Sequence, residues 1–177
     1  MKPIRTALAA ASLLFCTAEA NAAEVVAVAR LLDAKGGEVG TVEIRETPSG
    51  LARLTLTASG LPVGERGLHI HETGACDAAD GFKSAGGHLA GGRQHGILNP
   101  QGPHVGDLPN IHIPEGGRIV FEAFLAGAAP GESWSEKVGL FDGDGSAVII
   151  HTGADDYSSQ PTGEAGDRVA CGVLEKQ

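Results

Sequence analysis

The sequence predicts an all-β domain: an eight-stranded antiparallel Greek-key barrel or sandwich from which two long functional loops project. Three observations lead there. Glycine occurs 27 times in 177 residues, about twice its usual share, which suits a chain that turns often. The apolar residues come in short β-branched or alternating runs separated by turn signals, and long helical periodicity is missing. Eight such runs can be counted, and antiparallel strands in that number close or pair to hide their edges.

Residues 1–22 are expected to precede the domain, which then spans 23–177. Lys2 and Arg5 give a positive start, and Ala7 to Cys16 is an apolar run too short for a bilayer. Ala18-Glu19-Ala20 and Ala20-Asn21-Ala22 are small-x-small cleavage patterns. This is the pattern of a secretory signal, with an ordinary N-terminal helix as the alternative. A lipid anchor on Cys16 is disfavoured by bulky Phe15 just before it, where a small residue is expected. The strands follow in order. Glu24–Leu32, Glu38–Glu46 and Leu51–Ala58 are separated by Lys35-Gly36-Gly37 and Pro48-Ser49-Gly50, which read as hairpin turns. Gly67–His71 makes a fourth strand, and a long loop then leads to Leu108–Ile113. Pro114-Glu115-Gly116-Gly117 turns into Arg118–Leu125. Ala126–Leu140 is harder to assign and holds the only tryptophan, Trp134. Asp142-Gly143-Asp144-Gly145 turns into Ser146–His151, the polar loop Thr152–Asp167 follows, and Arg168–Leu174 closes the chain.

The formal charge is −9, and removing residues 1–22 makes it one unit more negative, which argues against nucleic acid or an anionic membrane as partner. The same removal leaves two cysteines, Cys76 and Cys171. In an exported protein an even pair is most simply a disulfide, with two buried thiols as the alternative.

The chemistry concentrates in Leu68–Pro109, which carries five of the seven histidines: His69, His71, His88, His95 and His104. His69 and His71 are spaced i, i+2, so on a strand both imidazoles face one way. His88, His95, His104 and Asp107 are separated by Gly-, Pro- and Asn-rich runs, and three imidazoles with a carboxylate suit a closed tetrahedral zinc site. A single His-x-His pair is weak as a signal, but this density is hard to explain as core or surface histidines. His71-Glu72 does not begin a zinc-protease helix, because the second histidine position of that motif is Ala75. His151, at the end of Val148-Ile149-Ile150-His151, reads alone as a rim histidine and becomes a further ligand candidate if its strand lies beside the His69/His71 strand.

Six motifs in order then resemble the copper,zinc superoxide dismutases, most closely their exported bacterial branch. They are Gly67-Leu68-His69-Ile70-His71, Ser84-Ala85-Gly86-Gly87-His88, His95-Gly96, Gly102-Pro103-His104-Val105-Gly106-Asp107-Leu108, His151 with Ala154-Asp155-Asp156, and Gly166-Asp167-Arg168-Val169-Ala170-Cys171-Gly172-Val173. The resemblance covers essentially all of 23–177. It implies dismutation of superoxide to O2 and H2O2 by copper redox cycling, with zinc as the structural ion. It implies His69, His71, His88 and His151 as copper ligands, and His88, His95, His104 and Asp107 as zinc ligands, His88 being shared. Asp155 would orient His69 and His95, Cys76 and Cys171 would form the family disulfide, and Arg168 would receive the anionic substrate. His88 would also carry a proton during turnover. His112 alone among the histidines has no counterpart and reads as an ordinary strand residue.

The sequence departs from the family in two places. The second loop contains no lysine, so Lys83, between Cys76 and His88, is expected to supply part of the field that attracts superoxide. Leu89-Ala90 stands where many members have an aromatic residue followed by Asn-Pro. A metal store or copper-delivery module is the competing function, disfavoured by Arg168 and the two shaped loops. The bacterial resemblance implies a periplasmic protein, either monomer or homodimer. An exposed Trp134 or Phe82 would hint at an interface.

Overall fold

The structure is a computed structural model that describes residues 23–129 and 131–177. The expected secretory segment, with Cys16, lies outside the described residues. Ten strands form among the described residues: β1 (Glu24–Asp33), β2 (Glu38–Glu46), β3 (Ala52–Ala58), β4 (Gly64–Arg66), β5 (Leu68–His71), β6 (Ile111–Ile113), β7 (Ile119–Leu125), β8 (Ala147–His151), β9 (Arg168–Val173) and β10 (Glu175–Lys176). The main sheet is antiparallel and runs β5-β8-β9-β1-β2-β3-β7, with β10 added along β1; β4 and β6 pair as a separate ribbon. The neighbours β3–β7, β5–β8 and β9–β1 are joined by long crossings, as in a Greek key. The sheet curls into a half-barrel, so the expected all-β architecture is present.

Alternation drives the curl. Along β3 every second residue is buried, and Leu54 and Leu56 meet Ile44 and Val42 of β2 across the ladder. Full burial of such side chains stabilises by roughly 1.5–3 kcal/mol each. The strands β5 and β8 differ, because all of their residues are buried. One face of this pair fills the core with Leu68, Ile70, Val148 and Ile150, and the other carries histidines.

A buried edge strand must have its backbone groups satisfied. The free side of β5 is covered by the histidine-rich loop. Ile70 N–H donates to Gly106 O at 2.9 Å and Leu89 N–H donates to Ile70 O at 2.8 Å, while bridges pair His69 with Asp107 and His71 with His88. Gly106 lies so close to Ile70 O that a Cβ would overlap it. The loop is therefore ordered as an edge cover, and this brings its histidines to those of β5. Leu89, the departure from the family, is buried in the core and sits within this cover.

Two expectations need correction. Only Ile111–Ile113 of the strand expected over Leu108–Ile113 forms, because Pro109 has no N–H to give a ladder and Asn110 spends its N–H on the Tyr157 hydroxyl. The uncertain stretch Ala126–Leu140 contains one helical turn, α1 (Trp134–Val138), capped by Ser133, whose hydroxyl accepts from Glu136 N–H. Trp134 is fully buried and its indole N–H donates to Ala126 O at 3.2 Å. Phe82 is buried too, so neither aromatic residue offers an interface. Cys76 and Cys171 form a disulfide, fixing the first loop to β9.

Candidate metal centre

Strands β5 and β8 pair so that His69 and His71 lie with His151 on the outer side of the barrel wall, and the edge-covering loop adds His88. One ring nitrogen from each of the four comes within 4.8 Å of the others, and all four residues are buried. A second group, His88, His95, His104 and Asp107, satisfies the same criterion. His88 belongs to both. His112 stays apart, exposed on β6 opposite Glu65.

Where a ring nitrogen faces a carbonyl or carboxylate oxygen outside the cluster, that oxygen accepts and the nitrogen donates, which fixes the tautomers of His69, His71 and His151. His71 Nδ1 donates to Gly86 O at 3.0 Å and His151 Nδ1 donates to Gly166 O at 3.1 Å. His69 Nε2 donates to Asp155 Oδ2 at 2.8 Å. The opposite nitrogens, His71 Nε2, His151 Nε2 and His69 Nδ1, then carry lone pairs into the cluster. These three and His88 Nε2 are buried without a hydrogen-bond partner. Four converging, unpaired lone pairs in a buried site are costly unless a cation takes them. Burial holds these imidazoles neutral: it brings His69 down to about 4, His151 to about 3 and His71 to about 2 from an ordinary 6.5. Neutral imidazole is the form that ligates metals.

The second group is tighter. The Nδ1 atoms of His88, His95 and His104 stand 2.9, 3.1 and 3.3 Å from the single oxygen Asp107 Oδ1. Ligands about 2.0–2.1 Å from a tetrahedral zinc would be ~3.3 Å apart, so this packing is close to that of a closed zinc shell. The other carboxylate oxygen, Oδ2, accepts from Gly96 N–H at 2.9 Å and His104 N–H at 3.0 Å, which fixes its orientation. Burial alone would raise Asp107, but the His88 contact, the Gly96 N–H and the nearby imidazoles outweigh it and hold the carboxyl well below its usual range. Both donor sets fit the metals that imidazole and carboxylate favour.

Asp155 joins the two groups. Its Oδ1 accepts from His95 Nε2 at 3.0 Å while Oδ2 serves His69, and the side chains of all three are fully buried. A Cβ at Gly163 would overlap Asp155 Oδ1, and Gly163 also has φ +67°. Asp155 is itself held by Asn110, whose Nδ2 donates to Asp155 O and whose Oδ1 accepts from Asp155 N–H, each at 2.8 Å. Tyr157 N–H donates to Asp155 Oδ1 at 2.6 Å, and the Tyr157 hydroxyl accepts from Asn110 N–H at 2.7 Å. Asn110 and Tyr157 were not anticipated from sequence. Their only signal was proximity to Asp107 and Asp155, which many loop residues share.

Arg168 opens β9 at the rim. Its Nη1 donates to Phe82 O at 2.5 Å and its Nη2 to Gly86 O at 2.6 Å. Gly86 O thus serves both Arg168 and His71. Phe82 is a buried aromatic residue at φ 62°, a left-handed conformation that turns its carbonyl toward the arginine. Lys83 follows it, exposed, in a 3-10 turn.

A family model described as copper/zinc superoxide dismutase (SODC) matches residues 38–174. The chain is 41% identical over 179 residues to Cu-Zn superoxide dismutase 2 of Aquifex aeolicus, covering 98% of this chain and 99% of that protein. It is 40% identical over 146 residues to the Cu-Zn superoxide dismutase of Caulobacter vibrioides, covering 78% and 79%. Among solved structures, a SOD-like protein from Bacillus subtilis superposes with TM-score 0.75 at 36% identity, covering 86% of this chain and 100% of that one. Cu/Zn superoxide dismutase from Brucella abortus superposes with TM-score 0.65 at 31% identity, with the same coverage. Two candidate ligand groups sharing one imidazole, on a curled antiparallel sheet with these relatives, place the chain in the copper/zinc superoxide dismutase family.

Proposed function

We propose that the protein dismutes superoxide to O2 and H2O2, with His69, His71, His88 and His151 holding copper and His88, His95, His104 and Asp107 holding zinc. The observation that carries this assignment is the set of four converging buried ring nitrogens without partners, joined through His88 to a carboxylate-centred group. Copper would supply the one-electron redox cycle that oxidises one superoxide and reduces another, while zinc, which has no redox chemistry, would hold the loop.

The chain's own residues supply the rest. Arg168 spends two N–H groups on Phe82 O and Gly86 O, which aims the planar guanidinium and leaves its other donors for an anion. Burial lowers its basicity, but guanidinium remains charged at any physiological pH. His88 presents Nδ1 to one group and Nε2 to the other, so Nε2 is the atom that can take a proton when released and give it to the reduced substrate. Gly86 and Gly166 keep the remaining proton of His71 and His151 on the side away from the cluster. Asp155 does the same for His69 and His95.

Lys83 contributes to attracting superoxide. Its exposed position next to the Phe82 carbonyl that anchors Arg168 supports this role, and the second loop has no lysine to do it. Residues 1–22 act as an export signal, and the mature protein works in the periplasm. No helix among the described residues is long and apolar enough to cross a membrane.

The deciding experiment is superoxide decay followed by pulse radiolysis, comparing protein loaded with copper and zinc against the zinc-only form. Copper-dependent decay near the diffusion limit is expected. Slow or copper-independent decay would favour metal storage or delivery and refute the enzymatic reading.

A further inference from the structure

Gln160 lies in the second loop, 65 residues from His95, and its amide meets the backbone of His95 twice. Its Oε1 accepts from His95 N–H at 3.0 Å and its Nε2 donates to His95 O at 2.9 Å. The same Nε2 donates to Ser158 O at 3.0 Å, which ties the arrangement to its own loop. A primary amide is the neutral side chain that carries an acceptor and donors on one rigid plane, and here both ends are used on one residue. A carboxylate could make only the first of these bonds, and an aliphatic side chain neither.

His95 is consequently fixed at four points. Its ring nitrogens meet Asp107 Oδ1 and Asp155 Oδ1, and its peptide groups meet Gln160. His95 is wholly buried, yet it stands on an irregular loop with no strand ladder to hold its backbone. A ligand on such a segment would have to be ordered when the ion arrives, at the cost of chain entropy. Orienting partners of metal ligands typically change metal affinity by about 10- to 100-fold when removed.

We infer that Gln160 is a positioning residue for the zinc group, orienting His95 through its main chain so that Nδ1 faces the ion. The inference rests on the assignment of His88, His95, His104 and Asp107 as the zinc ligands. Its reach is selective: the Gln160 side chain hydrogen-bonds to His95 and Ser158 and to none of His69, His71 and His151, so it governs zinc far more than copper.

The test compares the mature protein with Gln160→Ala and Gln160→Glu. Zinc affinity is measured by competition with a chromophoric chelator, copper affinity likewise, and the ligand field by visible absorption of cobalt(II) in the zinc site. For Gln160→Ala a rise of about tenfold in the zinc Kd is expected, the lower end of the usual range for an exposed orienting side chain. An altered cobalt spectrum and a copper Kd changed by less than twofold are expected with it. Gln160→Glu keeps the acceptor for His95 N–H and is expected to fall between alanine and wild type; it also stands in if the alanine variant does not fold. Unchanged zinc affinity and cobalt spectrum in both variants would overturn the inference, as would equal losses of zinc and copper, which would mean general loosening. A wild-type protein that binds neither zinc nor cobalt in this site would instead overturn the ligand assignment itself.

Discussion

Replacing Asp155 with asparagine changes one heavy atom and almost no volume, yet it is expected to weaken one metal site. In the native protein both carboxylate oxygens accept, from His69 Nε2 at 2.8 Å and from His95 Nε2 at 3.0 Å. Asparagine keeps one acceptor and presents an NH2 to the other ring. Two donors then face each other in a site where the side chains have no exposure to solvent. The ring facing the NH2 escapes only by moving its proton to Nδ1. For His69 that nitrogen faces the His71/His88/His151 group, and for His95 it faces Asp107. Either way a lone pair of the proposed ligand set is lost. Removing an orienting partner costs about 10- to 100-fold in affinity, or roughly 1.4–2.8 kcal/mol. Chelator competition should therefore show one metal weakened by that factor and the other much less. If both Kd values stay within twofold of wild type, the tautomer argument is wrong.

Gly163→Ala attacks the same bond sterically. The new Cβ overlaps Asp155 Oδ1 and meets His95 Nε2, so zinc affinity by the same competition assay should fall by at least about tenfold. Arg168→Ala should lower the superoxide rate measured by pulse radiolysis about 10- to 100-fold, the worth of a charge-assisted hydrogen bond, with little change in copper affinity. Lys83→Glu should lower that rate at low ionic strength by about twofold or more, and the difference should shrink in salt; an unchanged rate and salt dependence would exclude Lys83 from steering. Metal-free protein should lose stability as pH falls below 6.5. The unfolded chain takes up protons there while His69, held to about 4, and His151, held to about 3, stay neutral when folded. Denaturant titration should show a slope of about 1.4 kcal/mol per pH unit for each such histidine, with full stability above 6.5. Reducing the disulfide, which spans a sequence separation of 95, should cost about 4–5 kcal/mol by the chain-entropy model, read from the same titration.

The strands were legible because burial imposes a period of two, and β1, β2, β3 and β7 follow it to within a residue of the expected ends. The i, i+2 pairing of His69 and His71 on β5 was legible for the same reason. Residues Gly64–Arg66 were not read as a strand, because three residues beside a glycine carry no periodic signal; they pair only because β6 lies opposite. Turn α1 was equally silent, being one capped turn around a buried tryptophan. Of the site, the residues that cluster were singled out by histidine density and family motifs, and Asp155 and Arg168 by the motifs alone. Asn110, Gln160 and Tyr157 act through main-chain hydrogen bonds to residues 45 to 65 positions away. No local pattern encodes such contacts. The carbonyls of Phe82 and Gly86, which aim Arg168, have no side-chain signature at all.

The two ligand groups rest on unlike foundations. Three of the four residues in the first, His69, His71 and His151, stand on β5 and β8, whose every residue is buried. All four of the second stand on the covering loop, outside any regular strand or helix. An ion held by the first group would meet ligands that the sheet has already placed, so little chain entropy would enter its affinity. An ion entering the second group closes a length of chain on itself, so its affinity carries the entropy of that segment and weakens as heat restores it. Warming is therefore expected to release a loop-borne ion before a strand-borne one. With zinc in the second group and copper in the first, as proposed, zinc would leave first while the redox metal is still in place.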